Sequence, residues 1–354
     1  MEKSMGLAKA MEMPSTTSKQ CVVVVLGAGR SGTSAITRGL RALGVELGDQ
    51  LRPGGGKNPT GFFEDESLMN INKRLRKALG LRADSVSLIE PQQWQTPVVQ
   101  AFQQEARETI RRRFGHYRLW GYKYAGTLRM LPFWRAVFHS LDLDARYVLA
   151  LRNPISVARS RAKLNPQRGV QEKSDLEWLV NVVPYFREIR EQPFVVVDYD
   201  LLMANPVAQL ERIATTLNLP ITANTQVAIQ TYADDFLTPS LRHSRFTDTD
   251  LEHNLRVNSL TRDAYRWLYR LATDEIATNA AEFWQGWSRI EDALAGLAPI
   301  LRYLDQLGAD LRYARRSLLG PLQAVPQAWL NVRQNWTFER LVMKLRTVVM
   351  REAS

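Results

Sequence analysis

The stretch CVVVVLGAGRSGTSAITRGLRAL, running from Cys21 to Leu43, decides the fold. Its β-branched run Val22–Leu26 reads as a buried strand, Gly27 to Gly32 as a glycine-rich turn, and Ser34–Leu43 as a helix entered through Ser31-Gly32-Thr33-Ser34. A strand feeding such a turn aims several backbone N–H groups at one spot, at the positive end of the helix dipole. That arrangement is a cradle for a phosphate or sulfate group. The spacing Gly27-x4-Gly32-Thr33-Ser34 follows the P-loop pattern, except that Thr33 stands where that pattern has a lysine. The departure weighs against an ordinary ATPase or kinase, because moving a doubly charged γ-phosphoryl group depends on Mg²⁺ and on that lysine. A sulfuryl group carries less charge and can be moved by positioned amides and a few cations, of which Arg30 is a candidate.

Apolar β-branched runs alternate with helical periodicity along the chain, the pattern of a mostly parallel sheet covered by helices. Strands are expected at Val22–Leu26, Leu119–Tyr122, Arg146–Leu151 and Phe194–Val197, with a weaker one at Val45–Leu47. Helices are expected at Ser34–Leu43, Glu64–Leu79, Val98–Arg113, Leu128–Ser140, Ile155–Leu164, Leu176–Glu191 and Pro206–Leu217. The glycine- and proline-rich segment Gly48–Phe63 reads as a long loop. The expected fold class is therefore α/β, a P-loop-type three-layer arrangement with a helical C-terminal extension. Residues 1–20 read as a polar leader, 21–248 as the α/β domain and 249–354 as a helical region.

With 354 residues, 45% of them hydrophobic, the chain can bury a large core, which excludes a disordered protein. Its one cysteine, Cys21, excludes an internal disulfide framework and reads as a small buried residue of the first strand, which fits a reducing, cytoplasmic setting. The net charge of +11 implies acidic partners without choosing among nucleotides, acidic glycans, anionic lipid and nucleic acid. The four histidines have no metal-ligand spacing, and no metal is expected.

A second site reads out of RYVLALRNPISVARSR, Arg146–Arg161. Its strand delivers Arg152 at the carboxyl end, Asn153-Pro154 turns the chain, and the next helix presents Ser160. Ligands of open α/β sheets sit at the carboxyl ends of the strands. An arginine and a hydroxyl there would hold a second phosphate by charge-assisted and neutral hydrogen bonds. P-loop NTPases place a metal-holding aspartate at this position, and Arg152 would repel the metal.

At these two motifs the chain resembles the sulfotransferases that use 3′-phosphoadenylyl sulfate (PAPS). GAGRSGTS, Gly27–Ser34, resembles their 5′-phosphosulfate loop, and RNPISVARS, Arg152–Ser160, their 3′-phosphate site. NPTGFFE at 58–64, WGYK at 120–123 and the 195–220 segment agree in order, so the resemblance covers roughly residues 20–245. It implies that Ser31, Gly32, Thr33 and Ser34 bind the 5′-phosphosulfate with Arg30 neutralising the departing bridging oxygen. It further implies that Arg152 and Ser160 bind the 3′-phosphate, that Lys123 lies near the transferring group, and that PAP is the product. SLRHS at 240–244 is similar to a late family segment, making Arg242 a third phosphate contact.

The base departs from the best-known members. Phenol and steroid sulfotransferases have a histidine two residues after that lysine, where this chain reads Lys123-Tyr124-Ala125. Carbohydrate and tyrosyl-protein sulfotransferases use a glutamate soon after the cradle helix. Glu64 is the matching candidate and Asp65 the reserve. A plainer reading makes Glu64, Asp65 and Glu66 first-turn acids complementing a helix dipole. Asp198 and Asp200 read as capping residues and the tryptophans as core.

The expected activity is transfer of a sulfuryl group from PAPS to an acceptor hydroxyl, with a glycan or lipid-linked glycan favoured and no nucleic acid expected. Two other classes are weighed beside it: a Mg²⁺-dependent P-loop phosphotransferase and a non-catalytic polyanion binder. Residues 300–354 are rich in arginine and leucine. They read either as helices packing on the domain or on another subunit in a homo-oligomer, or as a basic amphipathic element on anionic lipid at the cytoplasmic face.

Overall fold

Cys21–Leu26 forms β1, and all its residues are buried, because the sheet is covered on both faces. Val22, Val24 and Leu26 point into one apolar cluster, while Cys21, Val23 and Val25 point into the other. β4 (Phe194–Asp198) divides in the same way, Phe194 and Val196 against Val195 and Val197. This two-sided burial explains why the strands read as continuous apolar runs rather than as alternating ones.

The computed structural model describes residues 19–55, 61–236 and 246–323. β2 (Leu119–Lys123) and β3 (Asp144–Leu151) complete a parallel sheet of order β2-β1-β3-β4. Chain order reverses direction at β1, which pairs with β2 on one side and β3 on the other. The crevice beyond β1 is thus the topological switch point where α/β sheets bind ligands. Helices α1 (Thr33–Ala42), α2 (Glu66–Ala78), α3 (Pro97–Phe114), α4 (Leu131–Ser140), α5 (Pro154–Ala162) and α6 (Gln171–Phe186) intervene between strands. After β4 come α7 (Tyr199–Ala204), α8 (Pro206–Thr216), α9 (Ala223–Thr231), α10 (Asp248–His253), α11 (Ser259–Ala272), α12 (Ala281–Gly296) and α13 (Ala298–Gln323).

The chain divides into two units, Met1–Leu301 and Arg302–Ser354. Within the first, α11 and α12 join the larger cluster, where Phe186 stacks on Trp284 with centroids 5.7 Å apart and Phe283 stacks on Trp287 at 5.8 Å. Trp120, Trp134, Trp178 and Trp287 are among the largest fully buried side chains. Cys21 is buried too, and burial pushes its thiol pKa up to about 11. Residues 1–18, where a leader is expected, and the chain after Gln323 lie outside the described residues.

Two expectations are corrected. Val45–Leu47 is not a strand: Glu46 alone bridges Trp120 in parallel, because left-handed glycines at Gly44 (φ +80) and Gly48 (φ +83) bend the chain on either side. The helix expected from Glu64 begins instead at Glu66, with the extended Asp65 as its N-cap accepting from Leu68 N at 3.0 Å. Glu64 therefore stands outside the helix and is no first-turn acid.

Candidate active site

The turn between β1 and α1 is held by close packing. Gly27 has φ +138, and a Cβ there would lie 2.8 Å from the Ala150 carbonyl oxygen. Gly32 has φ +86, and a Cβ there would lie 2.3 Å from Tyr199 Cδ2. Between them Arg30, a non-glycine residue, takes the left-handed φ of +80, the kind of backbone strain that surrounding structure must sustain. Ser31 is fully buried, its N–H donating to Ala28 O at 3.2 Å and its hydroxyl meeting no partner. Gly32, the N-cap of α1, brings no capping side chain to the first-turn N–H groups of Thr33 and Ser34. First-turn N–H groups at the positive end of α1, beside the buried Ser31 hydroxyl, are the elements of an anion cradle.

The second motif meets the first. Arg30 Nε donates to Ser160 Oγ at 3.0 Å, and Arg152 Nη1 donates to the Arg30 carbonyl at 3.4 Å. The Arg152 guanidinium lies 4.4 Å above the Tyr199 ring, the same ring that backs Gly32. Burial lowers the pKa of Arg30, and repulsion from Arg152 lowers it further. Arg30 makes no ion pair among the described residues. Two guanidiniums pressed together beside an unsatisfied hydroxyl fit a ligand carrying more than one anionic group.

Glu64 and Lys123 close the other side. Lys123, the last residue of β2, donates from Nζ to Glu64 Oε1 at 3.0 Å and to Ser34 Oγ at 3.2 Å. Both side chains are nearly inaccessible, at 3% and 7% exposure, so the pair is a buried ion pair. Burial lowers the pKa of Lys123, and Glu64 opposes that shift. Phe63, left-handed at φ +53, turns the backbone so that consecutive carboxylates part company. Glu64 reaches Lys123 and Arg52 Nη1 (3.4 Å), whereas Asp65 caps α2 and accepts from Arg113 Nη1 at 2.6 Å. Asp65, occupied on every side by structural partners, is not brought to the cradle.

Ser31, Gly32, Thr33, Ser34, Arg30, Arg152, Ser160, Glu64 and Lys123 thus converge on one crevice, while Arg242 lies outside the described residues. Sequence reading assigned no role to Arg52 or Tyr199. Tyr199 sits in the matched 195–220 segment, and its signal was the ring facing Gly32, which only the fold reveals. Asp198, read as a cap, does cap α7, its Oδ1 accepting from Asp200 N at 2.8 Å. Burial pushes its carboxyl pKa up to about 7. Among the described residues no group of three or more His, Cys, Asp or Glu side chains is placed to hold a metal ion, and no helix is long and apolar enough to cross a membrane.

The fold is that of a P-loop-type α/β protein, with a glycine turn, Arg30 bonded to Ser160, and Arg152 gathered at the carboxyl end of its sheet. The profile of the Sulfotransferase family matches residues 23–223, more than half of the sequence, and the chain belongs to that family. Among solved structures it is similar to sulfotransferase STF9 from Mycobacterium avium, at 17% identity over 73% of this chain and 77% of that one, with a TM-score of 0.40. It is also similar to the sulfotransferase domain of the Synechococcus PCC 7002 olefin synthase, at 16% identity over 81% and 98% with a TM-score of 0.37. A third is sulfotransferase STF1 from Mycobacterium tuberculosis H37Rv, at 15% over 60% and 72% with a TM-score of 0.35. A search of the curated proteins finds no match.

Proposed function

We propose that this protein transfers a sulfuryl group from PAPS to an acceptor hydroxyl, with Glu64 as the base. The observation that carries the reading is Lys123, which touches both the cradle hydroxyl of Ser34 and the Glu64 carboxylate. PAPS, when bound, supplies the activated sulfuryl group and leaves as PAP.

The chain's own residues divide the remaining work. First-turn N–H groups and the Thr33 and Ser34 hydroxyls hold the 5′ end, and Arg152 with Ser160 holds the 3′-phosphate. Arg30, bonded to Ser160, carries its charge between the two ends. Lys123 steadies negative charge beside Ser34, and Glu64 takes the hydroxyl proton onto a carboxylate oxygen. Residue 125 is alanine, so the carboxylate replaces the histidine of phenol-type relatives, which favours a glycan or glycolipid hydroxyl over a phenol.

Thermal denaturation without metal tests the donor. PAP should stabilise the protein more than ADP or ATP, and Arg152→Ala should abolish the difference. Stabilisation by ATP only with Mg²⁺ would move the assignment to phosphoryl transfer.

A further inference from the structure

Beside the cradle lies a cavity of about 390 Å³, in the size range of small-molecule sites. Gly29 and Arg30 form the wall it shares with the cradle, while Tyr124 and Ala125, just after Lys123, and Asn72 and Arg76 of α2 form others. Thr33, Ser34, Arg152 and Ser160 do not line it, so it is separate from the two phosphate positions. Tyr124, the residue after Lys123, links it to the reacting centre by lining the cavity directly beyond the end of β2; burial pushes its hydroxyl pKa up, with Arg76 opposing and Glu64 adding to the shift.

The charge of this wall is one-sided. Six arginines line it, Arg30, Arg76, Arg82, Arg129, Arg161 and Arg168, against one carboxylate, Glu177. That carboxylate is already shared, meeting Arg161 Nη1 at 3.1 Å and Arg168 Nε at 3.2 Å. Arg129 Nη1 donates to the Ser85 carbonyl at 2.6 Å, a neutral partner. Arg76 makes no ion pair among the described residues; its guanidinium hydrogen-bonds the Tyr124 hydroxyl, a neutral partner, while its Nε is buried with no hydrogen-bond partner. Arg82 is half-exposed at the mouth, with Asp84 at 3.5 Å. A neutral sugar or lipid alcohol offers hydroxyl acceptors but no countercharge, and would leave this field uncompensated. A carboxylate, sulfate or phosphate accepts from such planar forks with good geometry.

We propose, resting on the sulfotransferase reading above, that the acceptor is itself an anion. It presents its hydroxyl toward Glu64 and Lys123 while a carboxylate, sulfate or phosphate group elsewhere on it binds Arg76 and Arg82.

The test is calorimetric titration of the full chain, saturated with PAP so that the nucleotide's own phosphates are already seated. The probes are two pairs matched in shape and differing in charge: cellobiose with cellobiouronate, and 4-hydroxybenzamide with 4-hydroxybenzoate. At least one anionic member should bind about tenfold or more tightly than its neutral partner. The preference should vanish in R76Q/R82Q and survive in R111Q/R112Q, which removes the same charge from exposed positions of α3 outside the cavity. If the double variant does not fold, R82Q alone, at a half-exposed position, should weaken the anion severalfold. No anion preference in either pair, or a preference untouched by R76Q/R82Q or R82Q, overturns the proposal. Failure of the donor reading shows separately, as no stabilisation by PAP, and the titrations repeated without nucleotide then still read the charge preference of the cavity.

Discussion

Replacing Glu64 by Gln, Lys123 by Met, and both together should reveal strong coupling between these residues. At 3.0 Å the gross attraction is about 5.5 kcal/mol for an effective dielectric constant of about 20, and burial of both charges offsets much of it. Removing one partner of a buried pair typically costs about 3–5 kcal/mol, because the other charge is left uncompensated. Here the surroundings soften the loss. In Glu64→Gln the amide oxygen still accepts from Lys123, which also keeps Ser34 at 3.2 Å. In Lys123→Met, Glu64 keeps Arg52 at 3.4 Å. Each single variant should therefore lose about 2–3 kcal/mol, and the double variant about 2 kcal/mol less than their sum.

Urea unfolding followed by tryptophan fluorescence measures all three. A coupling under about 0.5 kcal/mol, the scatter expected of independent sites, would refute the buried-pair account. The pH dependence gives a second reading. Burial holds the Lys123 pKa below its unfolded value, and losing Glu64 removes the main influence opposing that shift. Between the folded pKa and the unfolded pKa the unfolded chain binds more protons, so stability rises with pH. The deficit of Glu64→Gln should accordingly shrink from pH 7 toward pH 10. Turnover should fall more than about a hundredfold in Glu64→Gln while stabilisation by PAP persists, which separates proton transfer from binding.

Gly32→Ala places a Cβ 2.3 Å from Tyr199 Cδ2 at a φ of +86, so the ring beneath Arg152 must shift; stability should fall by about 1–3 kcal/mol, and PAP stabilisation, read by thermal denaturation, should be lost. Asp198→Asn keeps a capping oxygen and removes a carboxyl whose folded pKa of about 7 lies above its ordinary 3.8. Between those values the folded state binds the extra proton and wild-type stability falls as pH rises, so the variant should gain about 2–3 kcal/mol on wild type from pH 5 to pH 8 in parallel urea titrations. A chain ended at Leu301, the last buried residue of the larger cluster, should fold and keep its stabilisation by PAP; loss of cooperative unfolding would refute this.

The parts of this molecule legible in the sequence are those that local chemistry dictates. An all-apolar run such as Val22–Leu26 is buried on both faces in the middle of a covered sheet, and a glycine turn entering a helix turns backbone N–H groups toward the space where an anion can sit. Arg152 is legible for the same reason, since it follows directly on the apolar strand Asp144–Leu151, and the structure carries that strand two residues past the end of β1, where Leu149 pairs with Leu26. Glu64 and Asp65 could not be separated that way. They are adjacent and chemically alike, and their fates diverge through the left-handed backbone at Phe63 and the distant partners Lys123 and Arg113. The arginine-lined cavity was illegible altogether, because its six cations come from the turn after β1, α2, the loop after α2, the turn before α4, the C-terminal half of α5 and the turn beyond it, with no common spacing. A net charge of +11 announced a surplus of cations, but only the fold says where several of them share a single carboxylate. Donor chemistry lies in contiguous motifs because a phosphate binds to a turn. Acceptor choice, on the proposal made above, lies in a constellation because it is made by a wall, so what favours an anionic acceptor is the fold and not any motif.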